Sequence, residues 1–125
     1  MGNPVVWFEV MGKDGPKLRS FYGDLFGWNY EEVEGMDYGM VQSGDGGGMP
    51  NIPGGIGTAP QGAPNYQTFY VGVDDVQAAL DKAESLGGGT AVGPMELPMG
   101  GTIGIFTDPE GNMIGLFKAP EGQPG

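Results

Sequence analysis

The chain contains no cysteine and no histidine. That excludes disulfides, thiol nucleophiles, thiolate-bound zinc, imidazole relays and every histidine-ligated metal. A general base must then be a carboxylate, a lysine, a tyrosinate or a bound water. A metal would have to be held by oxygen alone, which favours magnesium or calcium. Basic residues are also scarce, five against 16 acidic ones, for a net charge of −11. Such a chain repels a phosphate backbone, so nucleic acid is not an expected partner. No apolar run approaches the roughly 18 residues of a membrane span, and the amino terminus does not resemble a signal peptide. The expectation is a cytoplasmic protein with no membrane association.

What is abundant is glycine, 27 residues, with 11 prolines, in a chain of 125 residues that is 38% hydrophobic. These breakers cluster between short apolar runs, as turns do in a strand-rich domain. The stretch Val5–Met11 is β-branched and aromatic, with Trp7, Glu9 and Met11 on one face and Val6, Phe8 and Val10 on the other. Asp14 can cap a helix with Pro16 in its first turn, and Leu18, Phe21, Tyr22, Leu25 and Phe26 recur with helical period up to Gly27. Strands are predicted over Trp28–Val33, Tyr38–Gln42 and Gly54–Thr58, with the Gly-rich segment Ser43–Pro53 as either a lid or a plain loop.

The same order then returns. Tyr66–Val73 reads as a strand; Asp74 with Gln77 resembles a capping box for a helix carrying Val76, Ala79, Leu80 and Ala83. Strands over Thr90–Leu97, Thr102–Thr107 and Asn112–Lys118 follow, the last two joined by the turn Asp108–Gly111. A β-α-β-β-β order repeated at a period of about 60 residues points to internal duplication within one domain of residues 1–125. The first module covers about 4–58, a connector 59–65, the second module about 66–118, and a loose tail 119–125.

Three segments carry a family likeness: Phe21-Tyr22-Gly23-Asp24-Leu25-Phe26-Gly27-Trp28, Val73-Asp74-Asp75-Val76 and Thr107-Asp108-Pro109-Glu110-Gly111-Asn112. In this order and spacing the chain resembles the vicinal oxygen chelate superfamily, the glyoxalase, bleomycin-resistance and extradiol-dioxygenase group, over about residues 4–118. The resemblance implies an α+β fold of two βαβββ modules forming a cupped mixed sheet. It also implies a homodimer. It further implies a metal at four positions, which fall here on Trp7, Thr68, Gly115 and, at the fourth, Gly54 or Gly55. Tryptophan and glycine offer no side-chain oxygen, so no metal site and no cofactor is expected.

The strand faces that hold those positions contain Trp7, Glu9 and Met11; Tyr66, Thr68 and Tyr70; and Met113, Gly115 and Phe117. Tyr38, Met40 and Gln42 form a further row whose facing alternation leaves open. Aromatic and methionine side chains around a few polar groups describe a site for an apolar or aromatic small molecule, with Gly115 and Gly54-Gly55 leaving room. Trp7, Met11, Tyr66, Thr68, Met113, Gly115 and Phe117 are the candidate ligand-binding residues. Trp7 and Phe117 can stack a planar ligand or simply pack a core. Glu9 is the candidate general base, with Tyr66 or Tyr70 as hydrogen-bond donor to an oxyanion. The plainer alternatives are that Glu9 lies at a rim or pairs with Lys118 or Arg19, and that Tyr70 fills space. Asp74, Asp75, Asp108 and Glu110 are explained by capping and a turn.

The leading expectation is therefore a small-molecule binding protein of glyoxalase/bleomycin-resistance type without the family's metal. The alternatives are a metal-independent lyase or isomerase using Glu9, a metal-dependent glyoxalase or dioxygenase, against which the ligand positions argue, and a scaffold or dimerisation module.

Overall fold

The computed structural model describes residues 2–42, 51–98 and 100–120, so most of the expected Gly-rich loop and the end of the tail lie outside the described residues. The elements are β1 (Val5–Gly12), α1 (Gly15–Phe26), β2 (Asn29–Glu32), β3 (Tyr38–Gln42), β4 (Gly54–Thr58), β5 (Tyr66–Gly72), α2 (Val76–Ser85), β6 (Gly89–Glu96), β7 (Thr102–Thr107) and β8 (Met113–Lys118). This is the β-α-β-β-β order twice over, an α+β fold. The chain forms two compact units, one of Trp7–Gln67 and one of the residues up to Val6 with those from Thr68 onward. No helix among the described residues is long and apolar enough to cross a membrane.

In the Trp7–Gln67 unit the strands run β2-β3-β4-β1. β1 pairs parallel with β4, setting Phe8 beside Gly54, Glu9 beside Gly55 and Met11 beside Gly57. β3 pairs antiparallel with β4 and β2. α1 begins where expected: the Asp14 carboxylate accepts from the Lys17 N–H at 3.1 Å and Pro16 sits in the first turn. It ends at Gly27, whose φ of 75° needs a residue without a Cβ.

The face that α1 turns to its sheet is not the apolar stripe. Gly15 and Arg19 are its buried residues, whereas Phe21, Leu25 and Phe26 are more than half exposed. Glycines on the sheet explain this. A Cβ on Gly39 would come within 2.6 Å of the Arg19 stem, so the arginine lies where a side chain would otherwise be. Its guanidinium then donates to the Ile56 carbonyl at 3.0 Å and to Asp37 at 2.9 Å, with Glu32 at 3.6 Å. Ile56 is fully buried in the same unit.

The second unit orders its strands β5-β8-β7-β6, with β5 parallel to β8 and the remaining pairs antiparallel. Its core is Val76, Leu80 and Leu116, with Val71, Val73, Ala79 and Phe106 packed around them. The cap of α2 is Asp75 rather than Asp74. Asp75 is the extended residue directly before Val76, and its carboxylate accepts from the Ala78 N–H at 3.0 Å. Gln77 accordingly makes no capping box and reaches along the helix to Asp81 at 2.9 Å. At the final hairpin Asp108 accepts from the backbone N–H of Glu110 and Asn112, at 2.8 and 3.0 Å. Its carboxyl is held below the usual range by these bonds, chiefly the Asn112 side chain, as a turn residue's would be.

Candidate functional site

Glu9 is the centre of a hydrogen-bonded cluster in the Trp7–Gln67 unit. Strand alternation points it and Trp7 to the same face of β1, and only 8% of the glutamate is exposed. The Tyr38 hydroxyl donates to Glu9 Oε2 at 2.9 Å, and the Tyr66 hydroxyl to Oε1 at 3.4 Å. The Trp7 indole N–H in turn donates to the Tyr38 oxygen at 2.9 Å. An indole nitrogen can only donate, so the Tyr38 oxygen must accept from it. The single Tyr38 proton is left to Glu9, and the direction of the Trp7→Tyr38→Glu9 chain is thereby determined. Burial pushes the Tyr66 phenol up to about 12, and the Glu9 charge and hydrogen bond act in the same sense. Tyr66 is therefore a proton-bearing donor across the physiological range.

Tyr38 is the residue alternation alone left unplaced. Its ring reaches Glu9 because β4 is built of glycine: a Cβ on Gly55 would collide with the ring and hydroxyl, and one on Gly57 would meet the ring at 2.6 Å. Gly54 is covered in the same way by Phe8. The sequence predicts open room at the Gly-Gly pair; aromatic rings occupy it instead. The second unit repeats the device. Tyr70, 6% exposed, stands opposite Gly115 in the β5–β8 pair, and a Cβ on Gly115 would run into its ring.

The other expected site residues fall as follows. Met11 is half-buried on β1. Thr68 donates its hydroxyl to the Met113 carbonyl at 2.8 Å. Met113 is 39% exposed, and Phe117 packs beside Gly101, where a Cβ would stand 2.9 Å from the ring. Arg19, one suggested partner of Glu9, is engaged instead with Ile56, Asp37 and Glu32.

The sequence profile of the Glyoxalase/Bleomycin resistance protein/Dioxygenase superfamily matches residues 5–116. The chain belongs to that superfamily. Among curated proteins it is similar to CFP32, provisionally named a glyoxylase, of Mycobacterium bovis (strain ATCC BAA-935 / AF2122/97), 34% identical over 89 residues. That match covers 66% of this chain and 33% of the relative, so the chain spans about a third of the length of the curated relatives it matches. Among solved structures it is similar to a Streptomyces coelicolor methylmalonyl-CoA epimerase in complex with 2-nitronate-propionyl-CoA. The TM-score is 0.67 at 14% identity, with 98% of this chain and 99% of that one covered. A superfamily member from Vibrio splendidus 12B01 gives 0.60 at 14% identity, covering 94% and 99%. At these identities the structural likeness establishes the glyoxalase-type fold alone.

The metal implied by the resemblance does not fit the residues at the positions that the resemblance assigns to its ligands. Trp7 presents an N–H already given to Tyr38. Thr68 offers a single neutral hydroxyl oxygen, which donates to the Met113 carbonyl and is a weak ligand without carboxylates beside it. Gly115 and, at the fourth position, Gly54 or Gly55 bring no side-chain donor atom, and the space a ligand side chain would take at them is filled by Tyr70, Phe8 and Tyr38 respectively. Among the described residues no three Asp or Glu side chains converge on one point.

Proposed function

We propose that this superfamily member binds a small apolar or aromatic molecule without a metal ion, using Glu9 as the polar anchor. The supporting observation is the buried Glu9 carboxylate held by two phenols. A carboxylate is an acceptor only, and Tyr38 and Tyr66 donate to it. The ligand group that suits such an anchor is a hydrogen-bond donor: a hydroxyl, an amide N–H or a protonated amine. Trp7, Met11 and Tyr66 supply the apolar surroundings in the same unit. For Thr68, Tyr70, Met113, Gly115 and Phe117 the case rests on strand alternation. A homodimer and a cytoplasmic location belong to the same proposal.

Native mass spectrometry of the purified chain, followed by a thermal-shift screen on wild type and Glu9→Gln, tests this. The expected result is a co-purified or screened ligand whose stabilisation is lost or much reduced in Glu9→Gln. Ligands that stabilise both proteins equally would remove Glu9 from the site.

A second reading is favoured by the Tyr66 donor, kept protonated beside the carboxylate. Glu9 would take a proton from the carbon next to a substrate carbonyl. The C–H electron pair would move into the enolate, and Tyr66 would donate a hydrogen bond to its oxygen. Return of the proton to the same or a neighbouring atom completes an isomerisation without any redox partner. Glu9→Gln would then retain ligand affinity but abolish exchange of the substrate α-proton with deuterated solvent. Exchange at an undiminished rate in Glu9→Gln would dismiss this chemistry.

A further inference from the structure

We propose that a groove at the start of α1 is a second binding site, for small anions carried on an apolar body: a carboxylate, sulfonate or phosphate attached to an aromatic or aliphatic group. The groove lies wholly within the Trp7–Gln67 unit and is an open depression of about 450 Å³, lined among others by Lys13, Lys17, Leu18, Phe21, Tyr22 and Asn65. That volume falls in the range of about 300–1,000 Å³ of small-molecule sites.

Charge makes the groove distinctive. The chain has five basic residues, and Arg19 is buried and committed to its own acidic partners. Two of the other four, Lys13 and Lys17, share this groove, and among the described residues neither forms an ion pair. The acidic residue at the wall, Asp14, is turned to the helix backbone, accepting from the Lys17 N–H. The apolar part is equally exposed. Phe21 is 58% accessible and stands edge-on to Tyr22, their centroids 5.1 Å apart. Leu18 packs against Gly12, where a Cβ would come within 2.6 Å of it. Asn65 adds an amide that can donate to a second oxygen.

The paired ammonium groups select a small anion as the occupant even in a chain of net charge −11. A small anion feels mainly the two adjacent ammonium groups, because remote acidic residues are screened beyond about 8 Å at physiological ionic strength.

The test uses the full chain with 1-anilinonaphthalene-8-sulfonate and its uncharged analogue N-phenyl-1-naphthylamine, followed by amide chemical shifts and fluorescence. The sulfonate is expected to perturb residues 12–22 and Asn65, and to bind about fivefold or more tightly than the neutral probe, as a charge-assisted contact would give. Lys13→Gln/Lys17→Gln, which alters exposed side chains only, should remove that preference, while Glu9→Gln leaves it intact. Failure of the Glu9 anchor and failure of this groove are thereby distinguished. Equal affinity for both probes, unchanged binding in the double lysine variant, or shifts confined to other residues would overturn the proposal. So would a dimer in sedimentation that covers Phe21 and excludes the probe.

Discussion

The Tyr38 ring lies over Gly55, in space that any side chain on the neighbouring strand would take. This contact carries the Tyr38 hydroxyl to Glu9, 29 residues away in sequence, with a bond of 2.9 Å. The two modules use one plan with different residues. Glu9 stands opposite Gly55 in the parallel pair β1–β4, and Tyr70 stands opposite Gly115 in the parallel pair β5–β8. In the second module the ring over the glycine comes from that opposite residue itself. In the first the opposite residue is a carboxylate, and the ring is brought by β3. The repeated strand order thus carries an acid at one of two matching positions.

Gly55→Ala should therefore destabilise the protein by about 1–3 kcal/mol, as overpacking a filled site does. The cost comes from displacing Tyr38, so it should depend on that ring being present. In a Tyr38→Ala background the same substitution is expected to cost less than in the wild type by more than about 0.5 kcal/mol, the deviation from additivity that uncoupled sites stay within. A urea-denaturation double-mutant cycle measures this; additive costs would mean that the ring and the glycine do not compete for space.

Much of the architecture could be read from the residue pattern. The strand and helix order, the Asp14 cap and the Gly27 stop were all legible because they depend on local chemistry: a side-chain acceptor at a helix start, a residue without Cβ at its end. Alternation likewise put Trp7 and Glu9 on one face. Two features were not legible. The packing face of α1 was hidden because the apolar stripe Leu18–Phe26 has the right period, yet the helix approaches its sheet through Gly15 and Arg19. That choice depends on Gly39 being across from the arginine stem, a fact of tertiary register. The role of Tyr38 was hidden for the same reason. Its facing depends on how β3 aligns with Gly55 and Gly57, and the glycine-rich Gly54–Gly57 run was the one available signal that a ring from elsewhere must lie there.

Asp37 supplies a pH-dependent contribution to stability. The Thr58 hydroxyl and then the Arg19 guanidinium hold its carboxyl below the usual carboxylate range. A carboxyl depressed in the folded state adds stability above its unfolded value of about 3.9 and loses it as pH falls through the folded value. Asp37→Asn should thus lower Tm at pH 7, and the gap from wild type should close as pH drops below about 4. Thermal unfolding of both proteins from pH 7 to pH 2.5 checks this. A gap that persists undiminished in acid would assign the loss to packing instead of charge.

Tyr66 acts at the opposite end of the pH scale. Its phenol is raised to about 12, from the ordinary tyrosine value of about 10, by burial and by Glu9. A group raised on folding contributes stability that is fully present below its unfolded value and lost as pH climbs through the folded one. The wild type should therefore lose stability relative to Tyr66→Phe between about pH 10 and 12. Ultraviolet titration at the tyrosinate band should show one phenol ionising late, absent in Tyr66→Phe. In Glu9→Gln, with the negative charge removed, that late phenol should move back toward 10. An unmoved titration in Glu9→Gln would leave burial as the sole cause.

The positions that the family resemblance assigns to a metal lead to the last prediction. A resident ion at a hundredfold excess over its dissociation constant contributes about 2.7 kcal/mol, which in a domain of this size moves Tm by several degrees. Trp7, Thr68, Gly115 and Gly54 or Gly55 offer no set of side-chain donor atoms for such an ion, and the space at the glycines is taken by Tyr70, Phe8 and Tyr38. Excess EDTA should therefore leave Tm unchanged, and added Mg²⁺, Ni²⁺ or Zn²⁺ should not raise it. Elemental analysis of the purified chain should find far less than one equivalent of any of them. A Tm drop of several degrees on chelation, recovered by one specific ion, would show that oxygen ligands outside these four positions hold a metal. Glu9 would then be the first to examine by Glu9→Gln.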